Sequence, residues 1–113
     1  MQYLLLIFED ETAYAAAPDL QAVVAAHMRL VAEMQEAGVF VDGSALQPSS
    51  TATTVRRSGA ERTMHDGPFP ESREQLGGYY LVEVGDLDAA LVWARKIPVA
   101  DGGAVEVRPL ASY

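Results

Sequence analysis

The segment Gln2–Glu9, QYLLLIFE, restricts this chain more than any other. It is short, nearly continuous in apolar residues and ends on a carboxylate, which reads as a β-strand. Successive side chains of a strand point to opposite sides. Tyr3, Leu5 and Ile7 therefore share one side, and Leu4, Leu6 and Phe8 share the other. Both sets are apolar, so a sheet built around this strand needs cover on two faces. One face can take helices. The other, left open, would be a broad apolar patch unsuited to a solitary chain. A second copy, packed sheet against sheet about a two-fold axis, is the economical cover.

The remaining pattern supplies the helices. Leu20 to about Ala37 reads as a helix, with Asp19 as N-cap after Pro18 and Gly38 as the C-terminal stop. Leu20, Val24, His27, Val31 and Met34 step by four, three, four and three, which places them on one face. The preceding DETAYAAAP reads as a loop. Val39–Pro48 reads as a strand that degenerates into a turn. TATTVRR and RTMHD read as a hairpin joined by the four residues SGAE. YYLVEV, Tyr79–Val84, is a further strand. Asp86 caps a helix from Leu87 to about Lys96, which Pro98 prevents from continuing. Ala104–Leu110 is the last strand.

The order is a βαβ unit given twice with a hairpin extension between. It predicts one α+β domain over residues 1–113, a ferredoxin-like antiparallel sheet with both helices on one face. With the second copy, a dimeric arrangement of two such sheets is expected.

Composition excludes several functions. The formal net charge is -8, and three of the eight basic residues, Arg56, Arg57 and Arg62, flank one expected turn. Such a chain is repelled by phosphate backbones and anionic membrane surfaces, so no nucleic-acid or membrane partner is expected. Cysteine is absent, which removes disulfide and thiolate chemistry. The two histidines are too far apart in sequence to make a metal site by spacing, and no glycine-rich phosphate loop occurs. No cofactor is expected. The start lacks the basic flank and cleavage site of a signal peptide, and a cytoplasmic protein is the expectation.

The segment MHDGPFPESREQLGGYY, Met64–Tyr80, is long for a strand connection. Asp66 suits an Asx turn, Gly67 admits unusual backbone angles, Pro68 fixes the next φ, and Phe69 can anchor the loop by burying its ring. A loop so shaped is suited to the rim of a pocket.

DGPF at Asp66–Phe69, with Glu71, Arg73, Glu74, Gly77 and Tyr79 and the closing Glu106-Val107-Arg108-Pro109, resembles the DGPF branch of the YCII-related proteins. The resemblance runs from the first strand to the last. It implies a ferredoxin-like protomer, a dimeric α+β barrel and a cleft suspected of activity. Relatives carry a His on the first helix, paired in one proposal with an Asp. At least one relative is thought to remove chloride from a chlorinated aromatic, and genes of the branch are reported near sigma-factor genes. His27 matches the helix placement. Asp42 and Asp66 are both candidates for the acid.

His27 stands on an apolar stripe where Leu would pack as well. A buried imidazole without a partner costs roughly 1–3 kcal/mol. Beside a carboxylate, one ring nitrogen is held and the other serves as a base. A core histidine bonded to backbone or to a tyrosine is the plainer reading. Tyr79 and Tyr80 face opposite ways, so one belongs to the core or an interface and the other can offer its hydroxyl to a cleft. Glu83 lies on the Tyr79 side. Arg56 suits an ion pair or a grip on a carboxylate ligand. The expected function is acid–base chemistry on a small organic molecule by His27, with Asp42 or Asp66 orienting it and Arg56, Tyr79, Glu83 and Phe69 around the ligand. The alternative is a non-catalytic dimeric module for a ligand or a protein, including a link to transcription.

Overall fold

The computed structural model describes residues 1–15, 20–67 and 74–113. Among these residues six strands and three helices follow in order: β1 (Gln2–Glu9), α1 (Thr12–Ala15), α2 (Leu20–Glu36), β2 (Phe40–Ala45), β3 (Thr53–Ser58), β4 (Glu61–Asp66), β5 (Gln75–Glu83), α3 (Leu87–Ala94) and β6 (Ala104–Pro109). A short 3-10 turn spans Ser49–Thr51. Four strands form an antiparallel sheet in the order β2-β5-β1-β6, and β3 and β4 pair in a sheet of their own. The result is α+β, with an antiparallel sheet and two main helices, consistent with a ferredoxin-like arrangement.

β1 lies inside the sheet, between β5 and β6. Tyr3, Leu5 and Ile7 point to the helices and are 4%, 0% and 5% exposed. Tyr80, Val82 and Val84 continue that face. Leu30 and Met34 of α2, Ala90 of α3 and Ile97 close over it. Each fully buried side chain of this size contributes about 1.5–3 kcal/mol of transfer free energy. Leu4, Leu6 and Phe8 turn the other way with Leu81 and Tyr79, and all five are only half-buried.

The caps explain the boundaries. Asp86 accepts a hydrogen bond from the Ala89 amide at 2.9 Å, as an N-cap should. At the end of α2, Gly38 has φ +75°, and the Val39 amide donates back to the Met34 carbonyl at 3.0 Å. That is a Schellman closure, which favours glycine. Asp19, the expected N-cap of α2, lies outside the described residues.

Several expectations need correction. The segment after β1 is not all loop. Thr12 donates from both its amide and its hydroxyl to Asp10 Oδ1, and a single turn of helix follows. The Val39–Pro48 segment does leave the strand as expected, with β2 ending at Ala45. In the hairpin, Ser58 pairs with Glu61, so the connection is Gly59-Ala60 alone rather than four residues. Gly59, with φ +61°, supplies the mirror-type turn that matches strand twist. β5 begins at Gln75, not Tyr79, because Gly77 is the extra residue of a β-bulge opposite Ile7 and Phe8.

The α2 stripe also departs from expectation. Its C-terminal half seats on the sheet, whereas Leu20 and Val24 are 56% and 52% exposed. The helix lifts away at its N-terminal end and leaves an opening over the sheet. Truncation should reveal this asymmetry. Met34 is 0% exposed and Met28 is 68% exposed. Met34→Ala is expected to cost about 2–5 kcal/mol in chemical denaturation. Met28→Ala should stay within about 0.5 kcal/mol of the parent. Equal losses would contradict the lifted helix.

Candidate functional site

The opening under α2 is a cleft of about 480 Å³. Its size suits a ring-sized molecule. Val24, Met28 and Val31 form one wall, and Ile7 and Tyr80 belong to the sheet below. Gly43, Gly77 and Gly78 also line it. The absence of side chains there lowers the floor. At Gly43 the need is specific, since a Cβ would sit 2.7 Å from Tyr80 Cδ1. Glycine at this position lets the Tyr80 ring lie against β2.

His27 enters the cleft from α2 and is half-buried. Its Nδ1 lies 2.7 Å from the Tyr80 hydroxyl, and the two rings stack with centroids 6.0 Å apart. Three surroundings act on its proton. Burial lowers its affinity below the ordinary histidine value, while the Glu9 carboxylate and a backbone bond to Pro98 raise it by smaller amounts. A neutral ring has one N–H. In the tautomer that carries it on Nε2, Nδ1 accepts the Tyr80 O–H. Burial also pushes the Tyr80 phenol up, which keeps it protonated.

The carboxylate nearest this pair in effect is Glu9, which the sequence reading did not single out. Glu9 ends β1 on the side of Ile7 and lines the cleft. Its Oε2 accepts from the Ala100 amide at 2.7 Å. Tyr80 was likewise not among the expected site residues. A signal existed for Glu9, which keeps the odd-numbered alternation of Tyr3, Leu5 and Ile7, whereas Tyr80 is placed on the helix face by its register opposite Leu5.

Tyr79 also borders the cleft, although its hydroxyl goes to Asp42, while Asp42, Glu83, Asp66 and Arg56 are not among the lining residues. Asp42 pairs with Leu81 and so faces the open side of the sheet, where it accepts from the Tyr79 hydroxyl at 3.2 Å. That carboxylate holds the Tyr79 phenol up. Glu83 is on the same open side, opposite Gln2. Asp66 and Arg56 are exposed residues of the β3–β4 hairpin. Gly67, with φ +108°, donates to the Ala52 carbonyl at 2.6 Å and accepts from the Thr54 hydroxyl at 2.7 Å, which ties the start of the DGPF segment to the hairpin base. Phe69 lies outside the described residues. The structure thus brings His27 to Tyr80 and Glu9, and Tyr79 to Asp42.

A second hollow, a groove of about 820 Å³ between Phe8, Leu76 and the hairpin, holds no imidazole. Among the described residues no cluster of three or more His, Asp or Glu could hold a metal ion, and no helix is long and apolar enough to cross a membrane.

Residues 1–112 match the YCII-related domain. The chain belongs to the YCII-related family. It is also 37% identical over 124 aligned positions to an uncharacterized protein of Rhizobium meliloti (strain 1021), with 100% of this chain and 94% of that relative covered. Membership in this family leaves the reaction open, and the cleft geometry carries the functional argument.

Proposed function

We propose that this YCII-related chain binds a small organic molecule under α2 and moves a proton to and from it through Tyr80 and His27. The observation that carries this reading is the 2.7 Å contact between His27 Nδ1 and the Tyr80 hydroxyl inside an apolar cleft. A neutral imidazole and a neutral phenol in hydrogen-bond contact form a relay. The bound molecule gives a proton to the Tyr80 oxygen as the phenolic proton passes to Nδ1. The imidazolium so formed donates to the Pro98 carbonyl and is stabilised by the Glu9 charge. The reverse transfer regenerates the neutral pair. This replaces the expected aspartate with a phenol as the imidazole's partner, and Glu9 takes the electrostatic part assigned to Asp42 or Asp66.

A neutral carbon acid with an aromatic ring, benzyl methyl ketone, tests it. In D₂O the chain is expected to accelerate exchange of the ketone's α-hydrogens over buffer, followed by NMR. His27→Gln and Tyr80→Phe should each lose most of that acceleration, about tenfold or more. Equal exchange by parent and variants would contradict the relay. Binding without exchange would leave the non-catalytic module as the function.

We also propose that the chain works as a sheet-to-sheet dimer, in the manner the likeness to the DGPF branch implies. The half-buried Leu4, Leu6, Phe8 and Leu81 make an apolar centre, and Asp42, Glu83, Glu106 and Arg108 surround it with charge. An apolar middle with a polar rim is the composition of an interface. Sedimentation at micromolar concentration should give two chains for the parent and one for Leu6→Asp. A parent sedimenting as one chain would refute the dimer.

A further inference from the structure

The β3–β4 hairpin is built as an arm. It pairs with no strand of the main sheet, and every residue of its two strands except Thr54 is exposed. The Cα radius of gyration is 15.8 Å, against about 13 Å for a compact chain of this length, which fits a projecting element. A two-stranded hairpin standing alone is marginal in water and gains stability by packing a face on something else.

One face is composed for that. Val55 and Met64 stand directly opposite each other across the ladder and are 59% and 76% exposed. Next towards the turn, Arg57 stands opposite Arg62. Like charges so placed repel. Among the described residues neither arginine meets a carboxylate. Arg57 donates to the Gly59 carbonyl at 2.8 Å, and Arg62 donates to the Glu61 carbonyl at 3.4 Å. An apolar pair beside two repelling cations fits a surface that is partly apolar and acidic. Val55 borders the groove with Phe8 and Leu76, so this face adjoins the open side of the sheet. A body seated on Leu4, Leu6 and Phe8 would lie beside it. A second copy has the matching charge. The hairpin holds three of the chain's eight basic residues and two of its sixteen acidic ones, which leaves the rest of the chain the more acidic part.

We infer that the β3–β4 hairpin clasps the second copy, with Val55 and Met64 packed on it and Arg57 and Arg62 against its carboxylates. The inference rests on the sheet-to-sheet dimer and adds the arm that each copy lends the other.

The chain has no cysteine, so Met64→Cys places a single thiol at the centre of this face. Its alkylation by iodoacetamide is timed at micromolar concentration, alone and combined with Leu6→Asp, with sedimentation giving the number of chains in each. The thiol is expected to react about tenfold more slowly in the two-chain form than in the Leu6→Asp single chain, because access limits its rate. Arg57→Gln with Arg62→Gln, which keeps Met64, should weaken the dimer about tenfold at low salt, with the difference shrinking as salt is added. Two chains with a thiol equally fast in both backgrounds, or a dissociation constant unmoved by the arginine changes, would overturn the clasp and leave the dimer. A thiol slow in both backgrounds would place the face on its own chain and overturn the clasp as well. A parent sedimenting as one chain would overturn the dimer and the clasp together.

Discussion

The structure depends on covering the two apolar sides of β1. On the helix side, Tyr3, Leu5 and Ile7 are sealed by the C-terminal half of α2, by α3 and by Ile97. That seal is incomplete along α2. Leu30 and Met34 sit in the core, and one to two turns earlier Val24 and Met28 are exposed. The sheet beneath carries Gly43, Gly77 and Gly78 where larger side chains would fill the gap. A helix that converges on the sheet at one end and diverges at the other leaves a wedge. The cleft is therefore a consequence of how the core closes rather than a separate feature.

The same geometry explains the state of the polar groups inside it. His27 enters at the point where the core gives way to the wedge, so its ring is partly desolvated and favours the neutral form. Tyr80 begins in the core and ends with its hydroxyl at the imidazole. Its own burial disfavours the phenolate. Two groups held neutral by the same environment and joined by one hydrogen bond can exchange a proton with little solvent reorganisation. Glu9, at the end of the strand that founds the core, supplies the charge that favours the imidazolium once it forms. The proposed relay and the core thus draw on the same elements, β1, β5 and α2.

Much of the frame was legible in the sequence. The alternation in QYLLLIFE separated the two faces correctly, and Gly38 and Asp86 marked helix ends where the structure has them. The helix placement of His27 was legible from its spacing. Its partner was not, because a phenol 53 residues away is brought in by strand pairing, and pairing order is not written in local periodicity. Tyr79 and Tyr80 were recognised as facing apart. Which of them faced the helices depended on the register of β5 on β1, and that register carries a bulge at Gly77. A one-residue slip exchanges the faces. Asp42 was a candidate partner, with Asp66, through the resemblance to the DGPF branch. The register shift in β2 between Phe40 and Asp42 sets its side chain on the open face with Tyr79.

The central claim is that the cleft holds His27 neutral, with Nδ1 engaged by Tyr80 and its proton affinity depressed by burial. A pH titration of the His27 ring nitrogens by NMR tests it most directly. The midpoint is expected below the ordinary value of about 6.5 and, above it, the ring is expected with Nε2 protonated and Nδ1 accepting. Because the unfolded chain would then bind the proton more readily, stability should fall as pH drops through that ordinary value and be retained above it. A midpoint at or above the ordinary value, with Nδ1 carrying the hydrogen, would contradict the account.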